Sequence, residues 1–231
     1  MIGIIGAMKI EVDALKNRIT DQTVRMISGV EYVSGHIGAH EVVVAQCGIG
    51  KVFAALCAQT MILTYHPTVL VNTGVAGTLS ETLSIGDVAV SSAVVQHDMD
   101  TSALGDPPGM ISGLDIIQIP ADQALAEKVK QCVEAEGLHC EIGVIASGDQ
   151  FIADREKKAY IQHTFHAVAC EMEGAAIGHT AYVNGVGFVV IRAISDGAND
   201  DSSMDFPAFC KHAAEHSVQV TLRLLDALAE K

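Results

Sequence analysis

The chain has 231 residues, of which 49% are hydrophobic, 18% charged and 4% aromatic, with no Trp. Its formal charge of -14, from 28 acidic against 14 basic residues, repels phosphate backbones and anionic lipid at long range and argues against nucleic acid and membrane partners. Length and composition suit a single α/β domain over residues 1–231, its sheet buried on both faces by Ala, Val, Ile and Leu.

Short runs rich in Val and Ile predict strands at Met1 to Gly6, Val24 to Ser34, Glu41 to Cys47, Thr68 to Thr73, Asp87 to Gln96, Glu141 to Ser147, Ala167 to Cys170 and Gly187 to Ser195. Between them, helical patterns fall at Lys9 to Asn17, Lys51 to Tyr65, Ala121 to Ala135, Asp154 to His163, Glu171 to Val183 and Phe206 to Ala229. This alternation predicts a three-layer α/β/α architecture around a twisted, mainly parallel sheet. The two early strands flanking Gly35-His36-Ile37-Gly38 read as a hairpin, which makes the sheet mixed. From His97 to Pro120 no element is evident, and Gly105-Asp106-Pro107-Pro108-Gly109 lies near its middle; a loop of that length is a candidate substrate-covering segment.

The six cysteines are scattered without a CxxC pair, several of them in apolar runs, as expected of free thiols in a reducing compartment. No basic leader or membrane-length apolar run is present, so a cytoplasmic location is expected.

Three glycine-rich turns follow strands without carrying nucleotide chemistry. Gly48-Ile49-Gly50-Lys51-Val52 lacks both the spacing and the hydroxyl of a P-loop, and neither Gly3-Ile4-Ile5-Gly6 nor Gly74-Val75-Ala76-Gly77 has dinucleotide-binding spacing. Such turns let backbone approach a ligand at the carboxyl edge of a sheet. His97-Asp98-Met99-Asp100 has no companion element with ligand spacing and reads as a polar turn, so neither a metal nor a cofactor is expected.

Three carboxylates stand where apolar strands end. Glu11 lies in the first turn of a helix, whose positive end favours the ionised form needed to orient water. Glu173 sits in Cys170-Glu171-Met172-Glu173-Gly174, a corner too apolar for two acids to serve solubility; one of them, Glu171 by preference, is a structural partner for a cation or an amide. Asp196 ends a strand in which Arg192 is embedded, and a buried arginine demands a carboxylate or a polar ligand. Residues from several strand ends of an open α/β sheet can meet in one crevice.

Together, Ile4-Ile5-Gly6-Ala7-Met8 with Glu11, Gly48 to Val52, Asn72 to Gly77, Ser147-Gly148-Asp149-Gln150-Phe151-Ile152, Glu171-Met172-Glu173 and Arg192 to Asp196 resemble the bacterial 5'-methylthioadenosine/S-adenosylhomocysteine nucleosidases of the purine nucleoside phosphorylase superfamily, over essentially the whole chain. The resemblance implies a nucleoside phosphorylase-like fold, a metal-free and cofactor-free hydrolase, adenine nucleosides as small-molecule partners, and a homodimer. It implies that Asp196 protonates or strongly hydrogen-bonds N7 of adenine, that Glu173 holds the ribose hydroxyls, that Glu11 activates water and that Arg192 helps place that water and the carboxylates. By the same likeness Phe151 stacks on the purine, the Ile152 backbone reads its edge, and Ser195 supports Asp196. Met8, Ile49, Met172 and Phe206 line the apolar part, next to Val75, Ala76 and Gly77, while Thr101 and Leu104 complete a neighbour's pocket.

Two departures from the family pattern bear on specificity. Val75 replaces a Ser common among relatives, so its hydrogen bond must come from elsewhere, and the segment after Leu104 is short and carries prolines. Methylthioadenosine, S-adenosylhomocysteine, 5'-deoxyadenosine and aminodeoxyfutalosine share the adenine and ribose contacts and differ at this wall. A phosphorylase on the same fold is the rival activity; it needs a cationic phosphate pocket in place of a water-activating carboxylate.

Overall fold

The Val- and Ile-rich runs form strands because their side chains alternate between two buried faces. Ile2, Ile4, Val42 and Val44 enter one core cluster, while Ile5, Val43 and Ala45 enter another. The computed structural model describes residues 1–197 and 206–229, with the backbone alone over 206–209. Among these, ten strands are formed: β1 (Ile2–Gly6), β2 (Thr20–Ile27), β3 (Val30–Ile37), β4 (His40–Gln46), β5 (Val69–Thr78), β6 (Val88–Gln96), β7 (Ile119–Pro120), β8 (Cys140–Ser147), β9 (Ala167–Glu171) and β10 (Gly187–Asp196). The α-helices are α1 (Lys9–Lys16), α2 (Lys51–Tyr65), α3 (Gln123–Ala135), α4 (Arg155–Phe165), α5 (Gly174–Val183) and α6 (Phe206–Ala229).

All ten strands share one mixed sheet. Parallel pairings join β4, β1, β5 and β10 on one side and β6, β8 and β9 on the other. Because β10 pairs with both β5 and β6, and β9 pairs with β5, the strands β5, β10, β6, β8 and β9 close into a ring. Helices α1, α3 and α6 cover one face through Val12, Leu15, Val129, Val133 and Leu224. Helices α2 and α5 cover the other through Ala54, Ala58, Met61, Ala175 and Ile177. A smaller cluster, with Ile161 and Phe165, seats α4 beside β8 and β9. No helix among the described residues is long and apolar enough to cross a membrane.

The structure departs from the sequence reading in four places. The strand expected over Val24 to Ser34 is two, reversed at Ser28-Gly29, where φ is 52 and 79; consecutive positive φ values are what a tight hairpin turn needs. The next reversal therefore falls at Gly38-Ala39, and Gly35 to Ile37 belong to β3. Strand β5 runs on to Thr78, beyond Thr73, because β10 and β9 supply partners for Gly74 to Thr78. Glu171 ends β9, and α5 starts only at Gly174. The span from His97 to Pro120 is tied down by a 3₁₀ turn at Ser102–Leu104, a bridge between Ile111 and Ile116, and β7.

Candidate active site

Glu11 is the third residue of α1, and its carboxylate turns back over the helix start. Oε2 accepts the amides of Ala7 and Met8, both at 2.8 Å, and Oε1 accepts the amide of Val75 at 3.3 Å. The helix start thus favours the charged form, as its sequence position suggests, but it is opposed by burial. Burial pushes Glu11 above its usual range, although Arg192 and these three amides pull it back. Val75 thus contributes a backbone N–H at the place where its side chain offers no hydroxyl.

The two acids of the β9–α5 corner are driven apart. Burial alone raises Glu171, but Arg192, Ser147 and the Gly174 amide outweigh it and hold the group below the usual carboxylate range. Its Oε2 accepts Arg192 Nε at 3.2 Å, Arg192 Nη2, and the amides of Glu173 at 3.0 Å and Gly174 at 2.8 Å. Glu171 is therefore the structural partner. Arg192 is completed by Asn72 Oδ1 at 2.5 Å, so its charge is committed inside the protein. Glu173 is pushed up to about 7 by burial and by the charge of Glu171, against Arg192 and the Gly50 amide, which donates to Glu173 Oε1 at 2.8 Å. Carboxylates with divergent proton affinities in one site suit divided acid and base duties.

Asp196, 3% exposed, closes β10. Its Oδ1 accepts Ser195 Oγ at 3.1 Å, and Oδ2 lies 3.5 Å from Lys158 Nζ. Two glycines of β5 make room for these acids. A Cβ on Gly74 would stand 2.8 Å from Glu11 Oε1, and one on Gly77 would stand 2.6 Å from Asp196 Oδ2.

Glu11, Glu173 and Asp196 line one cavity of about 250 Å³. Met8, Ile49, Val75, Gly77, Phe151, Met172 and Ser195 complete most of its wall, and among the described residues no lysine or arginine lines it. Phe151 is 60% exposed and stands among the residues of this wall. The remaining expected residues lie elsewhere. Arg192 is behind the wall, Ala76 is buried in the core and accepts Ser195 Oγ at 3.3 Å, and Ile152 points its side chain into the cluster around Phe165. Thr101 and Leu104 stand away from this cavity on the 3₁₀ turn, Thr101 donating to Asp106 at 2.8 Å and Leu104 85% exposed. The side chain of Phe206 lies outside the described residues.

Sequence reasoning missed Lys158, and it named Asn72 and Ser147 only within the segments that carry the resemblance, without a role. Each is an ordinary polar residue in its own segment, and only the fold brings it to an acid. The Gly48 to Lys51 turn proves to be filled internally. Glu173 takes the Gly50 amide, and Asp149 takes the Lys51 amide at 2.7 Å. Asp98 is held by Lys51 Nζ at 2.6 Å and by the Asp149 amide at 2.9 Å, the structural role read for its turn. A second cavity, of about 530 Å³, lies between α2 and α5; it includes Lys51, Gln96 and His179 and none of the three acids.

A family model for the phosphorylase superfamily matches residues 1–226. The chain is 42% identical over 229 residues to the 5'-methylthioadenosine/S-adenosylhomocysteine nucleosidase of Staphylococcus aureus, covering 99% of this chain and 100% of that one. Among solved structures, S-adenosylhomocysteine nucleosidase from Streptococcus pyogenes in complex with 5-methylthiotubericidin matches with a TM-score of 0.93 at 34% identity, over 98% of this chain and 96% of that chain. The futalosine hydrolase of Helicobacter pylori matches with a TM-score of 0.91 at 35% identity, over 97% of each chain.

Proposed function

Since the chain belongs to the phosphorylase superfamily, and within it to the 5'-methylthioadenosine/S-adenosylhomocysteine nucleosidases, we propose that it hydrolyses the N-glycosidic bond of 5'-thio-substituted adenosines and releases adenine. The observation that carries this reading is the meeting of Glu11, Glu173 and Asp196 on one cavity whose wall, among the described residues, carries no lysine or arginine. A phosphate nucleophile needs positive charge there, whereas water needs a carboxylate base.

In the proposed reaction, Asp196 passes a proton to N7 of adenine, and the glycosidic electron pair moves onto the purine as positive charge builds on the ribosyl ring. Glu173 holds the ribose hydroxyls beside that charge. Glu11 orients the attacking water and accepts its proton, a task matched by a carboxyl raised above its usual range. Phe151 covers the base, and Met8, Ile49 and Met172 surround the sulfur substituent with soft, apolar contacts. Arg192 acts from behind the wall by fixing Glu171.

Both 5'-methylthioadenosine and S-adenosylhomocysteine are assigned as substrates, with 5'-deoxyadenosine accepted through the same contacts, in methionine salvage and removal of a methyl-cycle by-product. The likeness to a futalosine hydrolase favours aminodeoxyfutalosine as a further substrate to be tested. A homodimer fits the outer face of α2, where Val52, Phe53, Leu56 and Leu63 are all more than half exposed, and it gives Leu104 a neighbour's pocket to complete. The assigned location is cytoplasmic. Chromatography of adenine released from each of the four nucleosides in phosphate-free buffer tests the reading; a rate that requires added phosphate would make the chain a phosphorylase.

A further inference from the structure

Lys158 sits in the first turn of α4, yet it is only 6% exposed. A buried lysine is costly unless its ammonium is paired and hydrogen-bonded. Here Nζ donates to the Gly197 carbonyl at 2.8 Å and faces Asp196 Oδ2 at 3.5 Å. Among the described residues it is the only cation within ion-pair distance of Asp196. Among the described residues, Cys170 of β9 and Cys210 of α6 also feel Asp196, both thiols being pushed up by burial and by nearby carboxylates, Asp196 among them. The ammonium is therefore, among the described residues, the one positive charge paired with the assigned acid, and it also ties the backbone just past that acid to a separate helix.

We propose that Lys158 is a positioning residue for Asp196. Its ammonium and Ser195 Oγ engage opposite oxygens of the carboxyl, which fixes the carboxyl plane, while the Gly197 contact docks the end of β10 onto α4. As the proton moves from Asp196 to N7, negative charge develops on the carboxyl next to a preoriented ammonium, so the contact strengthens along the reaction. The inference rests on the nucleosidase reading.

The test measures kcat and KM for adenine release by Lys158→Met, Lys158→Gln and Lys158→Arg, each also in an Asp196→Asn background, with circular dichroism as the check on folding. The Met and Gln variants are expected to lose roughly ten- to a hundredfold in kcat with KM changed less than about twofold, and Arg to restore most of it. In the Asp196→Asn background, removing Lys158 is expected to have no further effect, because two residues acting as one unit do not add. If Met does not fold, Gln and Arg carry the comparison. A loss confined to KM, an unchanged kcat, or the same fold-loss repeated in the Asp196→Asn background would overturn the inference alone. Failure of the unaltered chain to release adenine would overturn the nucleosidase reading and the inference with it.

Discussion

Replacing Glu173 by Gln should stabilise the protein while disabling it, and the stabilisation should depend on pH in one direction. In the fold this carboxyl is raised from 4.5 to about 7. Between those values the folded chain keeps a proton that the unfolded chain has lost, so stability contributed by this group falls as pH rises through the window. The rise corresponds to about 3 kcal/mol once pH exceeds 7, an upper bound because Glu171 and Arg192 readjust with it. Gln resembles the protonated acid, can still accept the Gly50 amide, and does not titrate. Relative to the unaltered chain it should gain nothing below pH 4.5 and most at pH 8, where a protein of this size should melt roughly 5 to 10 °C higher. Other titrating groups are common to both proteins and cancel in the difference. Thermal melts of both proteins at pH 4.5 and pH 8 provide the measurement, with adenine release followed in parallel. An equal difference in melting temperature at the two pH values would refute the assignment of buried, unfavourable charge to Glu173.

Gly77→Ala should force Asp196 aside, since the new methyl lies 2.6 Å from Oδ2; about tenfold or more should be lost from kcat, together with roughly 1 to 3 kcal/mol of stability in urea titration. Glu171→Gln should leave Arg192 without its principal countercharge and destabilise by about 3 to 5 kcal/mol, read as a lowered denaturation midpoint. The Glu11 base must be ionised, so kcat/KM should fall as pH drops through its raised value. Glu11→Gln should remove that acidic limb and lower the rate by about a hundredfold or more, with an unchanged circular dichroism spectrum.

The elements legible in the sequence were those whose pattern is local. The Val42 to Ala45 run and the apolar face of α3 announce themselves by period alone. The acids were legible because a carboxylate at the end of a buried strand has few reasons to be there. What the sequence hid depends on pairing. Ser28-Gly29 looks like an interior strand residue pair until two strands reverse about it, and β5 looks finished at Thr73 until β10 and β9 supply partners for its continuation. Electrostatic balance was hidden for the same reason. Glu11 stands at a helix end that favours its charge, but burial, which only the assembled fold supplies, opposes it. Lys158, next to Lys157 on a helix, carries no local sign that one is buried and the other is not.

The internal filling of the Gly48 to Lys51 turn bears on how such a hydrolase could coexist with the cell's adenine nucleotide pool. A helix start with open amides welcomes a phosphate; here Glu173 and Asp149 occupy those amides with the chain's own negative charge. AMP or ATP entering the pocket would meet acids where its phosphates seek donors, and like charges brought together reject a ligand without any added steric wall. Discrimination between waste nucleosides and energy carriers would then come from repulsion already built into the scaffold.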